Sequence, residues 1–179
     1  MIEAGVLDGC ESESDTDRLG RLFDVHHDRL YRLARRLSQN REEAQDLVQD
    51  TFLRAGRSRD GVPKGASAEE AWLVRVLVNL CRDRWRRMKV RVRANTRCPT
   101  PAAGANPEGT YIDRLAVQAA LARLAPRRRA IVVLHEIDGL EVPSIGRLLG
   151  VSAVTVRWHL SRARTELGRA LGTDPRSGS

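Results

Sequence analysis

The chain has 179 residues, a net charge of +8 and a pI near 10.5, and only Lys64 and Lys89 among its 31 basic residues are lysines. That balance favours a polyanionic partner, nucleic acid before membrane, and arginine adds a bidentate fit to phosphate and guanine that lysine lacks. No apolar run approaches membrane-spanning length and the N-terminus lacks a basic-then-apolar signal pattern, so we expect a cytoplasmic protein with no membrane partner.

Residues 1–17 carry six acids and no base, the composition of a solvated, disordered tail. A first helix follows, with Leu19, Leu22, Phe23, Leu30, Leu33, Ala34 and Leu37 on one apolar stripe. Ala44, Leu47, Val48, Thr51, Phe52 and Ala55 trace a second. On its opposite face Asp46, Gln49 and Asp50 fall at i, i+3, i+4 and form an acidic patch on a basic chain. A nucleic-acid surface would not tolerate such a patch, whereas a basic protein partner would match it; the plain alternative is a solvated helix face. The connection over residues 56–70 is rich in glycine, and its first part, 56–67, is basic.

Leu73, Val76, Leu77, Leu80 and Cys81 mark a third helix. Arg75, Asn79, Arg82 and Arg86 share another of its faces, and Arg87 continues into a basic run. Over residues 82–97 there are eight bases and one acid. Arginines next to Trp72 and Trp85 suit single-stranded DNA, because unstacked bases must find a new stacking surface. Trp72 also reads simply as core. Three prolines and two glycines without periodicity then make residues 95–110 a linker by composition.

Beyond the linker, residues 115–124 and 126–137 supply two helices, and residues 139–164 have the pattern of a helix-turn-helix. Pro143 suits a first helical turn, and Ile145, Leu148 and Leu149 give an apolar stripe. Gly150 stands where the chain must turn left-handed, and Ser152 is placed to cap the next helix. Val156, Leu160, Ala163 and Leu167 are the buried stripe of that helix. Arg157, Trp158, Ser161, Arg162 and Arg164 face outward. Pro143 and Gly146 occupy places where better helix formers would strengthen the first helix. An ordinary helix pair with a basic face is the alternative for this segment.

The expected architecture is therefore all-α: two small helical domains, 18–94 and 113–172, joined by a flexible linker over 95–112, with tails over 1–17 and 173–179. Cys10, Cys81 and Cys98 are far apart and odd in number, and His26, His27, His135 and His159 are scattered. Neither a metal nor a cofactor is expected. Cys81, on a helical face, reads as a small buried hydrophobe.

Three stretches in this order resemble the extracytoplasmic-function group of bacterial RNA polymerase sigma factors. Residues 42–55 look like the family's clamp-binding helix, 71–87 like its promoter-melting helix, and 113–171 like its upstream-element reader. The resemblance implies a protein without catalysis of its own that binds core RNA polymerase and promoter DNA, duplex and single-stranded. It implies that Asp46, Gln49 and Asp50 face the clamp helices of the largest polymerase subunit. It puts Asn79, with the preceding loop, at a flipped base of the minus-ten element, and Arg75, Arg82, Arg86 and Arg87 on nearby phosphates. Arg157, Trp158, Ser161 and Arg162 would read the minus-thirty-five element, with Arg164 nearer the backbone. Trp158 departs from the family, where a small polar residue is common. An anti-sigma factor is a further partner the family allows. The rival class is a stand-alone helix-turn-helix regulator, which explains the C-terminal half but neither the acidic patch nor the third helix. An enzyme using Glu42, Glu43, Asp46 and Asp50 for a metal lacks a convergent second cluster.

Overall fold

A computed structural model describes the backbone of residues 15–58, 61–94 and 109–171, all of it helical or in short connections. Most of the expected N-terminal tail, the first part of the linker and the C-terminal tail lie outside the described residues. The helices are α1 (Asp15–Leu37), α2 (Arg41–Arg57), α3 (Ala66–Ala94), α4 (Gly109–Arg123), α5 (Pro126–Val132), α6 (Val142–Leu149) and α7 (Ala153–Leu171). Helix α1 starts within the expected tail, and α4 starts within the expected linker. The glycine-rich connection is also shorter than expected, because α2 runs on to Arg57 and α3 opens at Ala66.

Local chemistry accounts for the helix ends. The Asn40 side chain accepts from the Glu43 N–H at 2.7 Å, and the Glu43 carboxylate accepts from the Gln39 N–H at 2.8 Å. One orphan donor at the start of α2 is thus satisfied, and the residue before the cap is tied to the first turn. Glu42 and Glu43 in its first turn and Arg54 and Arg57 in its last suit the helix dipole. Helix α5 widens into a π-helical turn, Val133–Ile137, where the Asp138 N–H reaches the Val133 carbonyl at 3.0 Å. The sequence pattern treats 126–137 as one regular helix and does not foresee this turn.

All six residues of the expected α2 stripe are buried. Phe23 departs from the α1 stripe: it is 45% exposed and its ring lies 5.0 Å from that of Phe52. Helix α3 is apolar on a wider arc than one stripe, because Val74 and Val78 are buried beside Leu73, Leu77, Leu80 and Cys81. That second row has a partner: α3 packs against α1 and α2 and also against α5 and α6. The core is accordingly continuous through both halves, running from Leu37 and Leu77 to Ile131, Leu134 and Ile145. Arg129 of α5 is buried within it and donates to the Leu37 carbonyl at the end of α1 and to the Ala122 carbonyl. Arg36 and Asp138 pair across the same junction.

Candidate nucleic-acid and protein interface

The acidic face forms on α2 as its periodicity requires, with Asp46 66% exposed at the side chain and Gln49 also exposed. It is not purely acidic. Arg84 of α3 donates to Asp50 at 2.7 Å and lies 3.9 Å from Asp46. A basic partner would therefore meet a carboxylate pair with one arginine already in place, and would gain most at Asp46. Arg84 carries no signal in the α2 pattern, since its role arises only when α2 and α3 pack. Next to this face, α1 and α2 enclose a groove of about 650 Å³ lined by Phe23, Val48, Gln49, Phe52 and Leu53.

The third-helix face is divided by the fold. Arg86 and Arg87 are exposed near its C-terminal end, where Lys89 sits 4.0 Å over the Trp85 ring. Asn79 and Arg82 are half-buried. Arg75 donates to the Ala71 carbonyl at 3.1 Å and lies against the Gly150 turn of the C-terminal half. Trp72 packs against the core. The structure thus leaves Arg86 and Arg87 open to a ligand and places Arg75 at the junction between halves.

The connection between α2 and α3 is held at its base. Val62 is buried and its carbonyl accepts from Arg18 of α1 at 2.6 Å. Just after it, Glu69 is buried in the first turn of α3 and takes both amino groups of Arg21, at 3.0 and 3.3 Å. His26 lies 3.6 Å from the same carboxylate. The Arg21 hydrogen bonds hold the Glu69 carboxyl below its ordinary 4.5, against the opposing effect of burial. Sequence reasoning passed over this cluster because its members belong to different helices.

The C-terminal pair α6–α7 has helix-turn-helix geometry. Pro143 lies in the first turn of α6, and Gly150 turns the chain at φ 66°. The Ser152 hydroxyl accepts from the Thr155 N–H at 3.1 Å, capping α7. Gly146 is no weak point. A Cβ there would stand 2.8 Å from the Val151 carbonyl oxygen, so glycine is what lets the turn close on α6. On α7, Val156, Leu160 and Ala163 are buried, and Arg157, Trp158, Ser161, Arg162 and Arg164 are all exposed on other faces. Arg164 pairs with Glu136 at 3.0 Å, so it comes to a ligand already partnered. His159, between α7 and the arginines of α5, has its basicity lowered by burial and then by Arg128 and Arg127.

Cys81 is buried, and burial pushes its thiol up to about 11. It is unsuited to nucleophilic work. Among the described residues no group of His, Cys, Asp or Glu is placed to hold a metal ion, and no helix is long and apolar enough to cross a membrane.

Comparisons with known proteins match both halves of the chain. Residues 22–91 match the family described as Sigma-70 region 2, and residues 114–167 match that described as Sigma-70, region 4. The chain is 41% identical to the ECF RNA polymerase sigma factor SigE of Mycolicibacterium smegmatis over 168 residues, 90% of this chain and 65% of that one. It is 39% identical to the ECF RNA polymerase sigma factor SigM of Mycobacterium tuberculosis over 151 residues, covering 84% of this chain and 76% of the relative. It therefore spans a little under two thirds of the first relative's length. The fold is similar to that of the sigma factor RpoE of Bartonella quintana, solved in complex with the anti-sigma factor NepR. The TM-score is 0.64 at 26% identity, over 89% of this chain and 99% of that one.

Proposed function

The chain belongs to the extracytoplasmic-function group of RNA polymerase sigma factors, proteins of promoter recognition and transcription initiation, and on that premise we propose how its own surfaces divide the work. The exposed side of α2, with Asp46, Gln49 and Asp50, docks on the clamp helices of the largest polymerase subunit. Arg86 and Arg87, with Arg82 and Arg75, hold phosphates around the minus-ten element, while Asn79 and the loop before α3 take an extruded base. Helix α7 lies in the major groove of the minus-thirty-five element and meets it through Arg157, Trp158, Ser161 and Arg162, with Arg164 toward the backbone.

Strand opening follows from differential binding. A flipped base gains a pocket and stacking that a paired base cannot use, offsetting the few kcal/mol of unstacking. The phosphate contacts are electrostatic, so promoter binding should weaken steeply as salt rises. Bond making stays with the polymerase; this protein contributes binding and position alone. Its place of work is the cytoplasm, with the polymerase. An anti-sigma factor is a further partner in this proposal, as the similar fold from Bartonella quintana was captured with one.

The observation that carries the proposal is the acidic face of α2 in a chain of net charge +8, on a separate helix from both basic faces. A stand-alone regulator would have no use for it. The test is run-off transcription by core polymerase with and without this chain, alongside the Asp46→Lys, Asp50→Lys double variant. Added protein should start transcripts from selected promoters, and the double variant should lose both co-purification with polymerase and transcript. Equal polymerase association by parent and variant would overturn the assignment.

A further inference from the structure

Two apolar side chains stand in the middle of the outward face of α7. Val154 is 70% exposed and Trp158 is 54% exposed, one helical turn apart and opposite Val156, Leu160 and Ala163. A single exposed apolar residue needs no explanation. Two in register near the start of the second helix of a helix-turn-helix do, because that stretch is the one that reaches base edges. Their neighbours Arg157 and Arg162 are exposed cations, so the patch suits a polyanion better than an apolar protein surface.

The Trp158 ring is also braced. The His159 ring packs edge-on at 4.9 Å with an interplanar angle of 70°, and the Arg128 guanidinium sits 5.8 Å from the indole centroid. Arg128 is itself held by Glu166 on α7. The indole is therefore oriented before any ligand arrives, and little rotamer freedom remains to be lost on binding.

Chemistry limits what such a pair can read. Valine has no polar group, and an indole has one N–H donor and no acceptor. Neither can make the bidentate contacts by which arginine reads guanine or asparagine reads adenine. The major-groove feature that rewards apolar contact is the 5-methyl group of thymine. Resting on the assignment of α7 to the upstream promoter element, we propose that Val154 and Trp158 form an apolar reading pair that selects thymine through its 5-methyl group. Val154 is then a specificity residue in its own right, one that charge patterning passes over. Arg128 and His159 act through Trp158 as positioning residues.

The test begins by selecting upstream duplexes from a randomised library with polymerase carrying this chain. Each thymine of the selected element is then replaced by deoxyuridine, which removes the methyl and nothing else. At the position read by the pair, the parent should bind about fourfold more weakly for the lost methyl. A cytosine at that position should be accepted better when it is 5-methylated. Trp158→Ala should bind the thymine duplex more weakly and ignore the methyl, while Trp158→Phe keeps the dependence and controls for folding. Val154→Ser should reduce the dependence without abolishing it. Equal binding of thymine and deoxyuridine duplexes at every position, or undiminished methyl dependence in Trp158→Ala, would overturn the inference. Failure to select any upstream sequence would overturn the assignment of α7 itself, whereas selective binding blind to the methyl would leave that assignment standing.

Discussion

Glu69, His26, Thr51 and Arg129 are the polar side chains that the fold buries among the described residues. Thr51 returns its hydroxyl to the Leu47 carbonyl at 2.7 Å and stays within α2. Glu69 instead ties the start of α3 to α1 through Arg21 and His26, next to the loop proposed to take an extruded base. Its carboxyl is held low, mainly by the Arg21 hydrogen bonds. The charged form is thus the stabilised one, and its contribution is complete above the ordinary 4.5 and fades as pH falls below it. Glu69→Gln should therefore lower stability at neutral pH by about 1–3 kcal/mol, since the charge on the Glu69 side of its hydrogen bonds with Arg21 is lost. The gap between parent and variant should narrow as acid is added below that value. Urea midpoints at neutral pH and in acid check this, and an equal gap at both would place the stabilisation elsewhere. None of it was legible in the sequence. Glu69 falls there within the connection over residues 56–70, and its partner Arg21 lies 48 residues away. Arg84, 34 residues from Asp50, escaped for the same reason.

What is periodic within one helix was legible, and α2 illustrates it: every residue of the expected stripe is buried. The helix-turn-helix was legible as well, because Pro143, Gly150 and Ser152 each act within a few residues of chain. Legibility fails where one element needs two faces. Val74 and Val78 lie off the α3 stripe and are buried all the same, because α3 has helices of both halves packed around it. Gly146 is the opposite failure, a residue that propensity alone marks as poor. Alanine at a helix-interior glycine ordinarily gains up to about 1 kcal/mol. Here the added Cβ would lie 2.8 Å from the Val151 carbonyl oxygen, closer than real contacts allow, and the offending atom is backbone. Gly146→Ala should therefore lower the melting temperature and loosen the α6–α7 turn, which orients the helix proposed to enter the major groove. A variant as stable as the parent, or more so, would mean that the turn can relax and that steric closeness does not govern this position.

The widest consequence of the packing is that the two halves share one core. Sequence composition suggests two small bundles, each short of buried area; the structure meets that shortage by joining them, with α3 as the common element. Arg129 makes the junction specific, because its buried guanidinium caps the Leu37 carbonyl at the end of α1. Function pulls the other way. Arg75, proposed to hold a promoter phosphate, rests against the Gly150 turn, so the closed packing and that contact compete for one side chain. Whatever stability the junction adds is subtracted from promoter affinity when it opens. The size of that term can be read from cooperativity. Trp72 lies on α3 within the N-terminal half and Trp158 on α7, so single-tryptophan versions with phenylalanine at the other two positions report the halves separately. A shared core predicts one cooperative urea transition with coincident midpoints from both probes. Arg129→Ala removes the guanidinium donor from the Leu37 and Ala122 carbonyls and should lower the Trp158 midpoint more than that of Trp72, separating the two curves. Separate midpoints already present in the parent would mean that the halves fold independently and that the junction sets no threshold for promoter binding.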